Sequence, residues 1–247
     1  MKDIRKGSIM NRYFKPGQTV LFQGDSITDC GRRDGFEPFG FGYASKVKNI
    51  YNELFSDVED KEYPRENYDE PSGYPPIPAS SGVNFVNRGV SGDRAYRILD
   101  RFEEDILAVK PDFISILVGV NEVYHHLPEK PKSYYPPEKY EEKYGQLLSR
   151  IRDELPNTEI MVIEPFLIPS DNPLYEQRKS ELLVLSAIAR DLAMKKADHF
   201  LPMWGIYNNV IASKQATPEE LSKDGVHPTP LGHTYIAEAY LKLLNII

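Results

Sequence analysis

The chain reads as an α/β protein, a three-layer α/β/α sandwich around a central parallel sheet of about five strands. Three observations predict this. Short apolar runs alternate with helical patterns of roughly 12 to 24 residues, the arrangement of a parallel sheet covered by helices on both faces. Phe113-Ile114-Ser115-Ile116-Leu117-Val118 is an almost unbroken apolar run, as expected of a strand buried on both sides. Glycines stop the first three runs, at Gly24, Gly89 and Gly119, so each strand ends in a tight turn that leads toward a helix.

The elements follow in order. Residues 1 to 18 are polar and basic and close on Pro16-Gly17, ahead of a first strand at Thr19 to Phe22. A glycine-rich loop, Gly31 to Gly42, precedes a helix over Tyr43 to Leu54, where Val47, Ile50, Tyr51 and Leu54 recur at helical spacing. Residues 56 to 83 hold seven acidic residues, five prolines and three tyrosines without apolar period. They read as an insertion, either a surface excursion or a functional loop. Asn84 to Asn87 gives a short second strand, and Ile98, Phe102, Ile106 and Val109 mark one side of a helix that ends at Pro111. After the third strand, a loop rich in Pro and Tyr leads to a helix over roughly Pro137 to Leu155, with Tyr140, Tyr144, Leu147 and Ile151 inward. Ile160 to Ile163 is the fourth strand. Asn172-Pro173 has the form of an N-cap followed by proline at the first helical position, opening a helix to about Lys196. A short fifth strand near Phe200-Leu201 and a helical stretch after Trp204 follow. Thr229-Pro230 starts the last helix, striped by Ile236, Tyr240 and Leu244. No repeat or boundary divides the sequence, so one domain over residues 1 to 247 is expected.

Composition narrows the function. The net charge of -7 sets up a field that repels nucleic acid and anionic membrane surfaces, and a neutral or cationic ligand suits it better. Cys30 is the single cysteine, so no internal disulfide can form. The first residues, Met1-Lys2-Asp3-Ile4-Arg5-Lys6, lack the apolar core of a signal peptide, and no apolar stretch of about 18 residues occurs. These features predict a soluble, cytoplasmic protein without nucleic-acid or membrane partners; assembly into a homo-oligomer stays open.

A parallel sheet gathers the carboxyl ends of its strands along one edge. The first three strands would bring there Asp25 and Ser26, then Ser91 and Gly92, then Asn121. Gly-Asp-Ser alone is also ordinary turn chemistry. The fourth stretch, Asp224-Gly225-Val226-His227-Pro228, gives it context: an Asp three residues before a His on a tight loop can turn its carboxylate to the imidazole and fix the tautomer. That histidine could serve Ser26 as general base, without which a serine hydroxyl is a poor nucleophile.

These four blocks, Gly24-Asp25-Ser26, Gly92 within Val90-Ser91-Gly92-Asp93, Gly119-Val120-Asn121 and Asp224 to His227, resemble those of the SGNH (GDSL) hydrolase superfamily, in the same order and over residues 20 to 235. The resemblance implies the flavodoxin-like sandwich of that superfamily. It also implies a catalytic Ser26, His227 and Asp224 and an oxyanion hole made of the Ser26 and Gly92 backbone amides and the Asn121 side chain. The context from Phe22 to Arg32, with Asn87 to Gly92, is similar to bacterial intracellular carbohydrate esterases, notably acetylxylan esterases. The third block departs from the family pattern, with Glu122 where an Asp usually braces the loop. The longer side chain must displace Asn121 or be absorbed by a local shift.

The expected activity is a serine esterase that removes acetyl groups from acetylated, xylan-type oligosaccharides through an acyl-enzyme, with no cofactor and no metal. The alternatives are a short-chain or lipid esterase or thioesterase of the same fold, and a glycan-binding protein weakened in catalysis by Glu122. Asp25, Glu122, Tyr124, His125 and Trp204 are candidate substrate contacts, and Tyr134 and Tyr135 could stack on sugar rings. Asp25 also suits bracing of its turn. Glu122, His125 and His126 do not form a dedicated metal-ligand set. His233 falls within the last helix, away from the Asp224 spacing, and Cys30 reads as a small buried hydrophobe.

Overall fold

The structure, a computed structural model, describes residues 12–35, 37–56, 80–126 and 134–247. Most of the inserted stretch at residues 56 to 83 therefore lies outside the described residues. Five parallel strands form the sheet in the order β2-β1-β3-β4-β5: β1 is Thr19–Gly24, β2 Asn84–Asn87, β3 Phe113–Leu117, β4 Glu159–Ile163 and β5 His199–Leu201. The central apolar runs form strands that bury both faces, every residue of β3 among them, whereas the edge strands β2 and β5 are only partly buried.

Helices cover both faces. On one side lie α2 (Tyr43–Phe55) and α9 (Pro230–Leu243), which pack on each other, with α7 (Met203–Ala212) against α9. Tyr240 of α9 brings its ring to 5.7 Å from Phe22 and 6.1 Å from Phe113, and Tyr43 of α2 lies 5.9 Å from Phe22. On the other side α3 (Ala95–Asp100), α5 (Pro137–Glu154) and α6 (Tyr175–Lys196) form a second layer. The strand order reverses between β1 and β3. In open α/β sheets the crevice at such a reversal, beyond the carboxyl ends of the strands, is where ligands bind.

Some boundaries differ from the sequence reading. The helix expected to run to Pro111 breaks after Asp100 and continues as a wider π-type turn over Glu103–Leu107. Arg101 at the break bonds to Asp93 at 2.6 Å and Asp105 at 2.8 Å, tertiary ties that hydrophobic spacing does not reveal. Pro173 is not the first residue of α6. The Asn172 side chain accepts from the Leu174 amide at 2.9 Å and its carbonyl from Tyr175 at 2.8 Å, closing a separate turn before the helix. Three short helices lie outside the elements expected from the sequence: α1 (Ser26–Asp29), α4 (Val120–Tyr124) and α8 (Pro218–Leu221). Thr217 and Glu220 close a capping box around α8, a pattern legible in Thr-Pro-Glu-Glu.

Candidate active site

Ser26 opens α1 directly after β1, and Asp25 is the N-cap, its Oδ1 accepting from the Ile27 amide at 3.0 Å. Gly24 makes this tight exit feasible. A Cβ there would sit 2.4 Å from the Leu117 carbonyl oxygen and 2.5 Å from the Thr28 hydroxyl. The Ser26 hydroxyl stands 2.9 Å from His227 Nε2. His227 Nδ1 is 2.6 Å from Asp224 Oδ2, so the proton on the ring belongs at Nδ1 and the Nε2 lone pair faces the serine.

The loop that carries this pair is tightly bonded. Asp224 Oδ1 accepts from the amides of Val226 at 2.9 Å and His227 at 2.8 Å. Burial alone would raise the Asp224 pKa, but the bonds from the His227 side chain and amide and from the Val226 amide outweigh it and hold the carboxyl at about 2. Gly225, at φ +82°, gives the loop its sharp bend; a Cβ there would strike Ser170 Oγ at 2.6 Å. Beyond it, the Thr229 hydroxyl caps α9 by accepting from the Gly232 amide at 3.2 Å.

The second and third blocks are joined to the first. Asp29 Oδ2 accepts from the Ser91 amide at 3.1 Å and hydroxyl at 2.9 Å, and the Val90 amide donates to the Gly24 carbonyl at 3.0 Å. Gly92, at φ +83°, follows. Asn121, in the first turn of α4, donates through Nδ2 to the Asp93 carbonyl at 3.0 Å. That bond uses one of the two hydrogens of the side-chain amide and fixes its plane. No acceptor among the described residues takes the backbone amides of Ser26 or Gly92. The arrangement thus offers a hydroxyl beside a base oriented by a carboxylate, flanked by N–H groups able to meet a developing oxyanion.

Glu122 behaves differently from a substrate contact. It is 1% exposed, and its Oε1 accepts from the Ala95 amide at 2.8 Å, tying α4 to the start of α3. The longer side chain is therefore absorbed by a bond to the α3 amide while Asn121 keeps its tie to Asp93. Asp25, also 1% exposed, is likewise withdrawn from the cleft and acts as a cap. Tyr124 is half-buried and His125 exposed at the end of α4, with their rings 5.7 Å apart and edge to face. Tyr135 stacks on Tyr96 at 6.0 Å, and the exposed Tyr134 meets the His126 ring at 5.0 Å. Trp204 is not brought to this group: it lies on α7 beyond β5, roughly 14 Å across the sheet from β1 by strand spacing, and is half-buried against the core.

Two neighbours of the site are spoken for. His233 is buried, its Nδ1 accepting from the Tyr43 amide at 3.1 Å and its Nε2 facing Cys30 Sγ at 3.4 Å. Burial, then the charges of Lys46 and His227, push its pKa down to about 4, so it stays neutral. His126 is held by Glu181 at 2.8 Å.

Fold and site together define a class, the carboxylic ester hydrolases of the SGNH type. The chain belongs to the GDSL-like lipase/acylhydrolase family, whose family model matches residues 22–235. It is 26% identical to an acetylxylan esterase of Geobacillus stearothermophilus over 92% of this chain and 93% of that one. The crystal structure of a catalytic serine mutant of that esterase, Axe2, superposes with a TM-score of 0.73 at 27% identity, covering 94% of this chain and 96% of the other. Further catalytic mutants of Axe2 replace an aspartate and a histidine that stand three positions apart. Among the described residues, no helix is long and apolar enough to cross a membrane.

Proposed function

We propose that the protein is a serine esterase that releases acetate from acetylated oligosaccharides of the xylan type. The observation that carries this reading is the Asp224–His227–Ser26 relay, 2.6 and 2.9 Å long, in a chain similar over nearly its whole length to an acetylxylan esterase. The catalytic mutants of Axe2 concern the same three residue types, with the same aspartate–histidine spacing.

Ser26 Oγ attacks the ester carbonyl while its proton passes to His227 Nε2, and Asp224 stabilises the imidazolium. The amides of Ser26 and Gly92 and the second hydrogen of Asn121 Nδ2 receive the negative charge on the carbonyl oxygen. His227 returns the proton to the departing sugar hydroxyl, leaving an acetyl group on Ser26. Water, deprotonated by the same histidine, then attacks this acyl-enzyme and frees acetate. Tyr124 and His125 follow Asn121 at the end of α4, and the exposed His125 ring is the aromatic group placed to meet a sugar there.

The test is acetate release from acetylated xylo-oligosaccharides beside hydrolysis of 4-nitrophenyl acetate and octanoate. Rapid release from the oligosaccharide, lost by about 10⁴-fold or more in Ser26→Ala, is the expected result. A folded Ser26→Ala protein that keeps its activity removes the mechanism. Cleavage confined to octanoate removes the glycan substrate.

A further inference from the structure

Among the described residues, two arginines beside the cleft form no hydrogen bond or ion pair through their guanidinium groups. The other described arginines that are partly shielded from water each reach a carboxylate or a backbone carbonyl, as Arg101 does with Asp93 and Asp105. Arg178, in the first turn of α6, is 7% exposed, and its Nε is buried with no acceptor among the described residues. Its guanidinium lies over the Tyr124 ring, 4.2 Å from the centroid. A ring face holds a cation but accepts none of the N–H bonds that radiate in the guanidinium plane. Arg94, directly after Asp93, lies 5.2 Å over Tyr135 and likewise has no hydrogen-bonding or ionic partner among the described residues. Glu122 feels its charge, yet uses Oε1 for the Ala95 amide.

The placement of these cations is functional in character. Tyr124 stands three residues beyond Asn121, and Arg178 borders the same small cleft as Asp224, Gly225 and Val226. Arg178 therefore sits between the loop of Asn121 and the loop of His227. Arg94 stands two residues past Gly92. His125 lies within reach of both: burial, then Arg94, then Arg178 push its pKa down. Withdrawing a cation from water is unfavourable unless an anion or acceptor meets it, and a guanidinium matches a carboxylate in two parallel bonds. The net charge of -7 gives the molecule no general attraction for anions, so such a preference has to be local.

We propose that Arg178 and Arg94, with His125 at the rim, form a subsite for a carboxylate carried by the ester substrate. This rests on ester hydrolysis at Ser26 and names the substrate class more closely: an ester whose glycan bears a uronic acid, or whose acyl group itself ends in a carboxylate.

Matched ratios measured on the intact enzyme test it. kcat/KM for an acetylated xylo-oligosaccharide bearing glucuronic acid is divided by that for its neutral counterpart, and kcat/KM for 4-nitrophenyl hemisuccinate by that for 4-nitrophenyl butyrate. One ratio should exceed about ten, the effect of a charge-assisted hydrogen bond, and fall toward one in Arg94→Gln and Arg178→Gln. The arm that responds shows whether the carboxylate is on the glycan or the acyl group. Should Arg178→Gln fail to fold, Arg94→Gln, on the less buried side chain, decides. Ratios near one in both arms of the wild type, or ratios that neither substitution changes, overturn the subsite. Loss of the glycan arm alone, with both nitrophenyl esters still cleaved, counts against the xylan-type substrate, and the acyl arm then decides the subsite.

Discussion

Asp224 faces His227 with one oxygen and the backbone with the other, and this division of labour separates its chemical part from its structural one. Oδ2 meets Nδ1 at 2.6 Å, whereas Oδ1 takes the Val226 and His227 amides. In Asp224→Asn the carbonyl oxygen can keep both amides, so the loop should hold. The amide nitrogen then points a donor at Nδ1, the ring must carry its proton on Nε2, and the lone pair that would receive the Ser26 proton is gone. A fall in kcat of about 10⁴-fold with an unfolding temperature close to wild type is expected, measured with 4-nitrophenyl acetate and by thermal melting. A variant that retains a tenth or more of wild-type kcat would show that Asp224 does not set the tautomer. The sequence spacing made the pairing of Asp224 with His227 legible. It could not show Arg178 or Arg94, because an arginine in a helix turn looks the same in sequence whether or not a carboxylate faces it.

At the scale of elements, the site depends on how loops at three strand ends are bonded to one another. Strand ends were readable because glycine stops an apolar run, but the ties between them are made by residues whose partners are distant in sequence. Glu122 is the clearest case. Its side chain joins α4 to α3, the two elements that present Asn121 and follow Gly92. Glu122→Asp is one methylene too short to keep the 2.8 Å bond to Ala95, so it should lower kcat rather than raise it, although it restores the usual family residue. Glu122→Gln preserves an acceptor and should stay closer to wild type. Leaving the Ala95 amide unpaired costs about 1–3 kcal/mol, and a comparable loss at the oxyanion corresponds to roughly a tenfold to hundredfold fall in kcat with KM little changed. A rise in kcat for Glu122→Asp would contradict this bracing role. Gly89 is a second joint: an added Cβ would lie 2.4 Å from the Asp29 amide nitrogen and 2.7 Å from the Thr28 carbonyl carbon, both backbone atoms. Gly89→Ala must therefore push the second block away from the first, and both a lower melting temperature and a larger loss of kcat than of KM should be measured. A Gly89→Ala protein with unchanged melting and kinetics would mean that the two blocks separate freely. The short helices α1 and α4 escaped the sequence reading for a related reason: four or five residues are too few to show a helical period.

The whole molecule places two carboxyl groups beneath the strand-order reversal, where both helical layers meet the sheet. Asp25 and Glu122 are each 1% exposed, and Asp25 Oδ2 and Glu122 Oε2 are buried without a hydrogen-bond partner among the described residues. Burial pushes Asp25 up to about 7 against the Ile27 amide bond, with the charge of Glu122 adding to the rise. Burial likewise pushes Glu122 up to about 7 against the bonds from Ala95 and from its own amide. In the unfolded chain both ionise near pH 4. Between pH 4 and 7 the folded protein thus holds protons that the unfolded chain has released, and stability must fall as pH rises through this window, levelling above it. Each pH unit of displacement corresponds to about 1.4 kcal/mol, so the combined decline should be on the order of 10 °C or more in Tm for a chain of this size. Asp25→Asn and Glu122→Gln keep the capping acceptors but cannot ionise. Their absolute stabilities also reflect the changed side chains, so the slope is the informative quantity. Thermal melts from pH 5 to 8 should show each variant gaining on the wild type as pH rises. Parallel profiles would mean that the two carboxyls ionise in the fold as they do in water, and that water reaches the floor of the cleft.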